Sequence, residues 1–424
     1  MLTTPFALVQ DGEDFVARAV EQRDPESALN ATIACVESLV SRPDLLGRAL
    51  FVPMLDQLVA EVGESLAEAL WPRGVDATDG VQLVVATETY DTGGHTRVIE
   101  DLCHHLERPV IVLTDLFGRV GSGALRIDHL RRQAAGAAVQ VLAPGSALAK
   151  TIDLMRLVAQ LRPQRVLMLT HHQDAIACAA LSPQRLRVPR AFIHHGDHNP
   201  SLGCTIETLH HVDLVRQTGE ACTLALQRDT GYLPLHVRDQ GARPWAGRTL
   251  TTASVATCGA PQKYARSGPL AYSHIVATVL STVGGRMHHI GPLPVDWLAQ
   301  IRDHLSNQGI DAGRFRAVGP VPSLWACLRE LDADVYLASA PIGGGRSAIE
   351  AQGCGLPIVY FHPESLERPL LATEVYHASA PGWAALDDLP QALRNAVLDG
   401  ASQSRAARAF YEAGHGDQAF AAAV

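Results

Sequence analysis

Closely spaced cysteines are missing from this chain. Its eight cysteines are scattered, the nearest two being Cys204 and Cys222, eighteen positions apart. There is therefore no CxxC zinc knuckle or dithiol redox motif, and the cysteines read as buried small apolar residues of a reduced protein rather than as a disulfide frame. Basic residues are also short. Lys and Arg number 35 against 44 Asp and Glu, a net charge of −9, so no global positive field draws the chain to nucleic acid or anionic lipid. No apolar run approaches the roughly 20 residues that span a bilayer. The opening Met1-Leu-Thr-Thr-Pro5 lacks the basic-then-apolar order of a secretory signal. The expectation is a cytoplasmic protein with no transmembrane segment and no nucleic-acid partner, in which any bound anion meets a local cluster of donors.

What is present is a chain too long for one core. At 424 residues, 47% hydrophobic and 19% charged, with mean hydropathy +0.06, it reads as two or three folded units. Residues 1–75 form a helical N-terminal region. Phe15, Val16, Ala19 and Val20 share one face, Leu29, Ile33, Val36 and Val40 another, and Leu55, Leu58, Val59, Val62 and Leu66 a third. After Trp71-Pro-Arg-Gly74 short β-rich runs alternate with amphipathic stretches: Gln82–Thr87, Pro109–Leu113, Ala138–Leu142, Arg165–Leu169, Ala191–His194 and Val212–Val215. A Pro- and Gly-rich passage, Leu233 to Gly247, reads as a linker. The alternation then resumes at Ser254–Cys258, Met287–Ile290, Phe315–Val318, Val335–Ala338 and Pro357–Phe361. Strands of about five residues alternating with helices imply parallel sheets covered on both faces. The expected fold class is α/β: two tandem doubly wound, Rossmann-like domains at 76–240 and 241–385 behind the helical preface. Helices at 386–424 have the option of packing back on the first domain. In such sheets ligands bind beyond the carboxyl ends of the strands.

Four post-strand loops carry chemistry. Thr87-Glu-Thr-Tyr-Asp91-Thr-Gly93-Gly94-His95 leaves the first strand and enters a helix, whose free N–H groups suit an anion. Gly93 and Gly94 allow close backbone approach, and Asp91 or His95 is the candidate base. The bland alternative makes Asp91 a helix cap and His95 a passive first-turn residue. Pro341-Ile-Gly343-Gly344-Gly345-Arg346-Ser347-Ala-Ile-Glu350 opens another helix. Its amides, with Arg346 and Ser347, could hold a diphosphate, and Glu350 could accept from ribose hydroxyls. Lacking the P-loop lysine and the GxGxxG spacing, it matches neither fingerprint. Lys263, in Gly259-Ala-Pro-Gln-Lys263-Tyr264, can reach a phosphate as a point charge. The fourth loop, Ile193-His194-His195-Gly196-Asp197-His198-Asn199, offers His194, His195, Asp197 and His198 for an acceptor pocket, and His171 and His172 could line the same cleft. It partly matches the HxHxDH pattern of metallo-β-lactamase-type hydrolases, but Ile193 replaces the first histidine and the parallel pattern denies that fold. No metal is expected there. The pairs His104-His105, His210-His211 and His288-His289 carry no evident chemistry.

Taken together, the GG turn, the lysine loop and the GGGRSAIEAQGCGLPIV segment resemble GT-B glycosyltransferases over residues 80–400. Within them the chain is most similar to the O-GlcNAc transferase group and its bacterial soluble protein glucosyltransferase relatives. The resemblance implies Lys263 on the donor diphosphate, Arg346 and Ser347 at phosphate, Gly344 and Gly345 against it, Glu350 at ribose, and the HHGDHNPSLG loop lining the pocket. It implies transfer of a sugar from a nucleotide sugar, UDP-linked, to a hydroxyl or amide on a protein, glycan or small acceptor. The nucleotide would lie in the interdomain cleft as a co-substrate, with no separate cofactor. Counting eight back from Glu350 gives Ile342 rather than glutamate, so the paired-glutamate pattern of retaining families is incomplete and inversion is favoured. Asp332-Ala-Asp334 is a DxD string, but it begins a strand, at the wrong end for a ligand, so charge neutralisation falls to Lys263, Arg346, Ser347 and helix amides without a metal. A nucleotide-sugar 2-epimerase, a metallohydrolase and a non-catalytic sugar-nucleotide-binding partner protein are the rival readings.

Overall fold

Asp24 caps the first described helix, its carboxylate accepting from Ser27 N at 3.0 Å, and Pro25 takes the first helical position, where no N–H is needed. This is a computed structural model, and it describes residue 14 and residues 24–42, 44–90, 94–119, 127–134, 136–196, 198–362 and 375–424. The helical face expected over Phe15 to Val20 lies outside the described residues, as do Asp91, Gly93 and Asp197. The chain divides into two compact units, with the boundary between Leu233 and Pro234.

In the first unit, helices α1 (Pro25–Val40) and α2 (Pro53–Leu70) bury Leu29, Val36, Leu55 and Val59 in the same apolar core as Leu83, Val85, Val166 and Met168 of the sheet. The helical preface is thus a wall of this unit rather than a body of its own. Gly63 of α2 shows how closely it packs: a Cβ there would lie 2.1 Å from the Ala179 carbonyl oxygen. The sheet strands are β2 (Gln82–Ala86), β3 (Pro109–Leu113), β4 (Ala138–Val141), β5 (Arg165–Leu169), β7 (Arg190–His194), β8 (His210–Asp213) and β9 (Gly231–Tyr232). All pairings are parallel, in the order β4-β3-β2-β5-β7-β8-β9. The chain winds from β2 through β3 and β4, then crosses to β5, so the switch point lies between β2 and β5. Two-residue strands β1 (Val75–Asp76) and β6 (Leu186–Arg187) pair apart from it.

The second unit repeats the plan with β10 (Val255–Cys258), β11 (Met287–Ile290), β12 (Phe315–Gly319), β13 (Val335–Leu337), β14 (Ile358–Phe361) and β15 (Gly382–Trp383). Its order is β12-β11-β10-β13-β14-β15, again parallel, so its switch point lies between β10 and β13. The apolar runs forecast β10 to β14 to within a residue, whereas β15 has no run of its own.

Two parts of the chain behave differently from the sequence expectation. The stretch 234–247 is not a free linker but an extended strap bound along the second unit. Arg243 N donates to Cys354 O at 2.7 Å, Tyr411 Oη to Val237 O at 2.7 Å and Trp325 Nε1 to Gly241 O at 3.0 Å. The last helices, which include Leu389–Leu398 and Gly400–Gly414, lie in the second unit. Leu389, Leu393, Ala396 and Val397 fill its core, and Tyr411 packs edge-on against Trp325 at 5.3 Å.

Candidate functional site

Both switch points carry polar residues. In the second unit Lys263 ends a short turn after β10, and its Nζ donates to Gly343 O at 3.3 Å. The loop after β13 leads into the nine-residue helix Gly345–Gly353, whose N-cap, Gly344, gives it no side-chain cap. The first N–H groups of that helix and its dipole therefore stand, without a side-chain cap, beyond the carboxyl end of β13, the fold's usual ligand position. A Cβ on Gly344 would sit 2.5 Å from Ser347 Oγ and 2.8 Å from Lys263 Nζ. Lysine ammonium, serine hydroxyl and helix start thus converge on one glycine. Gly345 is a different case: a Cβ there would meet Leu235 Cδ1 at 2.8 Å, which is packing.

Arg346 and Glu350, expected at phosphate and ribose, have structural partners. Arg346 Nη1 donates to the His236 carbonyl of the strap, and its Nε lies 3.9 Å from Glu350 Oε1. Glu350 Oε2 accepts from Trp325 N at 3.1 Å, which caps the helix Leu324–Glu330. Asp332 and Asp334 are ion-paired with Arg243 at 2.9 and 3.2 Å, and Asp334 also accepts from Ser254 N at 2.9 Å. That network sits where β13 begins, the end opposite the Gly344 turn.

In the first unit the loops after β2, β5 and β7 bring four histidines together. The His95 ring centroid lies 4.6 Å from that of His195 and 5.1 Å from that of His171, and His195 stacks on His172 at 5.9 Å. His95 Nε2 is 2.8 Å from Leu169 O. A carbonyl oxygen only accepts, so Nε2 carries the proton and Nδ1 presents a lone pair. That Nδ1 is buried, and no hydrogen-bond partner for it exists among the described residues. Burial lowers His95 to about 4, His171 and His172 to about 3, and His195 well below the ordinary value, so all four are neutral at pH 7. Gly196 is required by this packing: a Cβ there would lie 1.7 Å from His172 Cε1.

Glu88 forms the floor of the cluster and was not singled out from sequence. Its Oε1 accepts from the Tyr90 hydroxyl and from Arg119 Nη1 at 3.0 Å, and lies 3.9 Å from His171 Nδ1. Its fully buried Oε2 has no hydrogen-bond partner among the described residues. Beneath it Asp174 Oδ2 accepts from Thr87 Oγ1 at 2.6 Å and Thr114 Oγ1 at 2.7 Å, and Thr87 Oγ1 accepts from His171 N at 2.8 Å. Glu88 stands in the quoted Thr87-to-His95 loop, but its role comes from Arg119, 31 positions on. Gly94 opens the His95 helix, and among the described residues nothing lies within 4 Å of where its Cβ would be. His198 is half-buried near the cluster.

His194 goes elsewhere. Adjacent strand residues point to opposite faces, and His194 is fully buried with Nδ1 3.0 Å from Asp213 Oδ1, so its hydrogen-bond partner is this carboxylate rather than a ring of the cluster. There burial pushes Asp213 up, but hydrogen bonding and charge from His194 and His211 outweigh it and leave the carboxyl at about 2. Among the described residues no helix is long and apolar enough to cross a membrane.

No family model matches the chain, and no curated protein matches it by sequence. Solved structures do. A glycosyltransferase from Rickettsia africae is similar at 11% identity and TM-score 0.61, covering 81% of this chain and 97% of that one. The lipopolysaccharide outer core galactosyltransferase WaaB is similar at 13% and 0.59, with the same coverage. An O-GlcNAc transferase variant from Thermobaculum terrenum is similar at 14% and 0.53, over 97% of this chain and 81% of that one. Anabaena HepE, solved with UDP, is similar at 14% and 0.56, over 78% and 94%. At these identities the likeness is one of fold. Two parallel α/β units in succession, each with its polar loops at the switch point, make this the GT-B glycosyltransferase fold.

Proposed function

We propose that the protein is a glycosyltransferase that moves a sugar from a UDP-linked donor to an acceptor hydroxyl or amide. The observation that carries this is the convergence of Lys263 Nζ, Ser347 Oγ and the uncapped start of the helix Gly345–Gly353 on Gly344. A diphosphate is the ligand those donors suit. HepE, of the same fold, has been solved with UDP and with UDP-glucose.

In the reaction the acceptor oxygen or nitrogen bonds to the anomeric carbon as the bond from that carbon to the diphosphate oxygen breaks. The leaving UDP gains negative charge, and Lys263, Ser347 and the helix amides stabilise it. They do so without a bridging divalent ion, because Asp332 and Asp334, the DxD pair that could hold one, are already paired with Arg243. Arg346 and Glu350 hold the cradle's walls. The acceptor's proton passes to Nδ1 of His95, a neutral imidazole already oriented by the Leu169 carbonyl. The setting is the cytoplasm, in keeping with eight cysteines of which none forms a disulfide.

The test is a thermal-shift panel of nucleoside diphosphates and their sugars on wild type and Lys263→Ala, followed by NMR analysis of products. Stabilisation by UDP and its sugars, lost in Lys263→Ala, with UDP released on turnover, supports the reading. A donor converted to its epimer without any acceptor makes the protein a 2-epimerase, and binding without turnover makes it a sugar-nucleotide-binding partner protein. A panel in which no nucleotide stabilises the protein overturns the proposal.

A further inference from the structure

We propose that the first unit contains a structural transition-metal site, suited to zinc, built by His194, His211, Asp213 and Cys222. This goes beyond the transfer reaction and does not rest on it. His194 ends β7 and pairs in register with Asp213 of β8. His211 precedes Asp213 by two residues on the same strand, so both point to one face. Cys222 comes from the helix Arg216–Leu226, packed over that face. One ligand atom from each residue lies within 4.8 Å of all the others. Zinc bonds of about 2.0–2.3 Å place tetrahedral ligand atoms roughly 3.3–3.8 Å apart, so a modest contraction closes the set.

Two further observations support an ion at this place. Asp213 is the hub of the set: its Oδ1 lies 3.0 Å from His194 Nδ1 and 3.6 Å from Cys222 Sγ, and its Oδ2 lies 3.1 Å from His211 Nε2. Three ligand-type atoms on three side chains thus face one buried carboxylate, an arrangement a cation at their centre would hold together. The donor set also balances charge. A thiolate and a carboxylate neutralise a divalent ion while two imidazoles add none, and binding releases the thiol proton to solvent. Sulfur and imidazole ligands select zinc over magnesium or calcium. All four residues are at most 1% exposed, which leaves no open position for water and makes the ion structural. Such a site would fix the end of β7, from which His195 emerges beside His95.

The test uses the full chain, purified without chelator, with metal counted by plasma mass spectrometry and cobalt(II) as a spectroscopic probe. About one equivalent of zinc is expected. Cobalt substitution should give tetrahedral visible bands and a thiolate charge-transfer band, with the latter lost in Cys222→Ser. Removing the ion under mild denaturation should lower the melting temperature, and zinc should restore it. His95→Ala should retain the metal, whereas His211→Ala with Cys222→Ala should lose it. A folded wild type carrying less than a tenth of an equivalent, or zinc retained by that double variant, overturns the proposal. Wild-type metal content and cobalt spectra decide the matter if the variants do not fold. UDP binding measured on the same samples reports on the second unit independently.

Discussion

Replacing Gly344 with alanine is a direct probe of the diphosphate cradle. The residue has φ −120°, ordinary extended backbone, so alanine brings no conformational strain and the substitution tests space alone. The new methyl would stand 2.5 Å from Ser347 Oγ and 2.8 Å from Lys263 Nζ. Both are ends of rotatable side chains, so both can swing away and the fold survives; about 1 kcal/mol of helix stability is at stake, because alanine is a poorer N-cap than glycine. The ligand has no such freedom. Losing one charge-assisted contact from Lys263 or Ser347 to phosphate costs about 1.5–3 kcal/mol, which weakens UDP binding roughly 10- to 150-fold. Titration calorimetry with UDP measures this, and a melting scan of the free protein controls for folding. Because the same contacts are removed, Gly344→Ala and Lys263→Ala combined should fall well short of additivity. A UDP affinity within about twofold of wild type, with the fold intact, would refute the assignment.

Three further outcomes are expected. His95→Asn should lower turnover by about 10²–10⁴ while leaving UDP affinity unchanged, as kcat and calorimetry will show; equal losses in both would assign His95 to the donor instead. Turnover should be the same with and without added Mg²⁺ or Mn²⁺, and a strict requirement for either would contradict charge neutralisation by Lys263 and Ser347. Stability should fall in acid. His95, His171 and His172 titrate at about 4, 3 and 3 in the fold against 6.5 unfolded, so the unfolded chain binds more protons below pH 6.5. Their contribution is complete above that pH and is lost as pH drops. Asp56, raised to about 6 by burial, acts oppositely, since its proton is bound by the native state and lost as pH rises through 6. The three histidines outweigh it, for a net loss on the order of 3 kcal/mol between pH 7 and pH 5. Melting temperatures that do not decline over that range would show these rings to be solvated.

Much of the fold is legible because buried parallel strands such as Val110–Val112 and Val166–Leu169 are continuous apolar runs that end at polar loops. Strands β1, β6, β9 and β15, of two residues each, have no such run, and only their partners make them strands. The strap from 234 to 247 has a linker's composition, and its hold on Cys354, Trp325 and Tyr411 is written in residues far along the chain. The same distance hides Glu88, whose meaning depends on Arg119, and the partners of Arg346 and Glu350. The separation of His194 from His195 was available in principle, since neighbours on a strand face opposite ways. So was the His211-Val-Asp213 alternation, which the adjacent His210 disguised as an uninformative pair.

The most direct measurement is calorimetric titration of UDP into the 424-residue chain and into its Lys263→Ala variant, both verified as folded. One UDP per chain is the expected result on wild type, with affinity at least about tenfold weaker in Lys263→Ala. Equal affinity in the two proteins, or no heat of binding for UDP or any UDP-sugar, would contradict it.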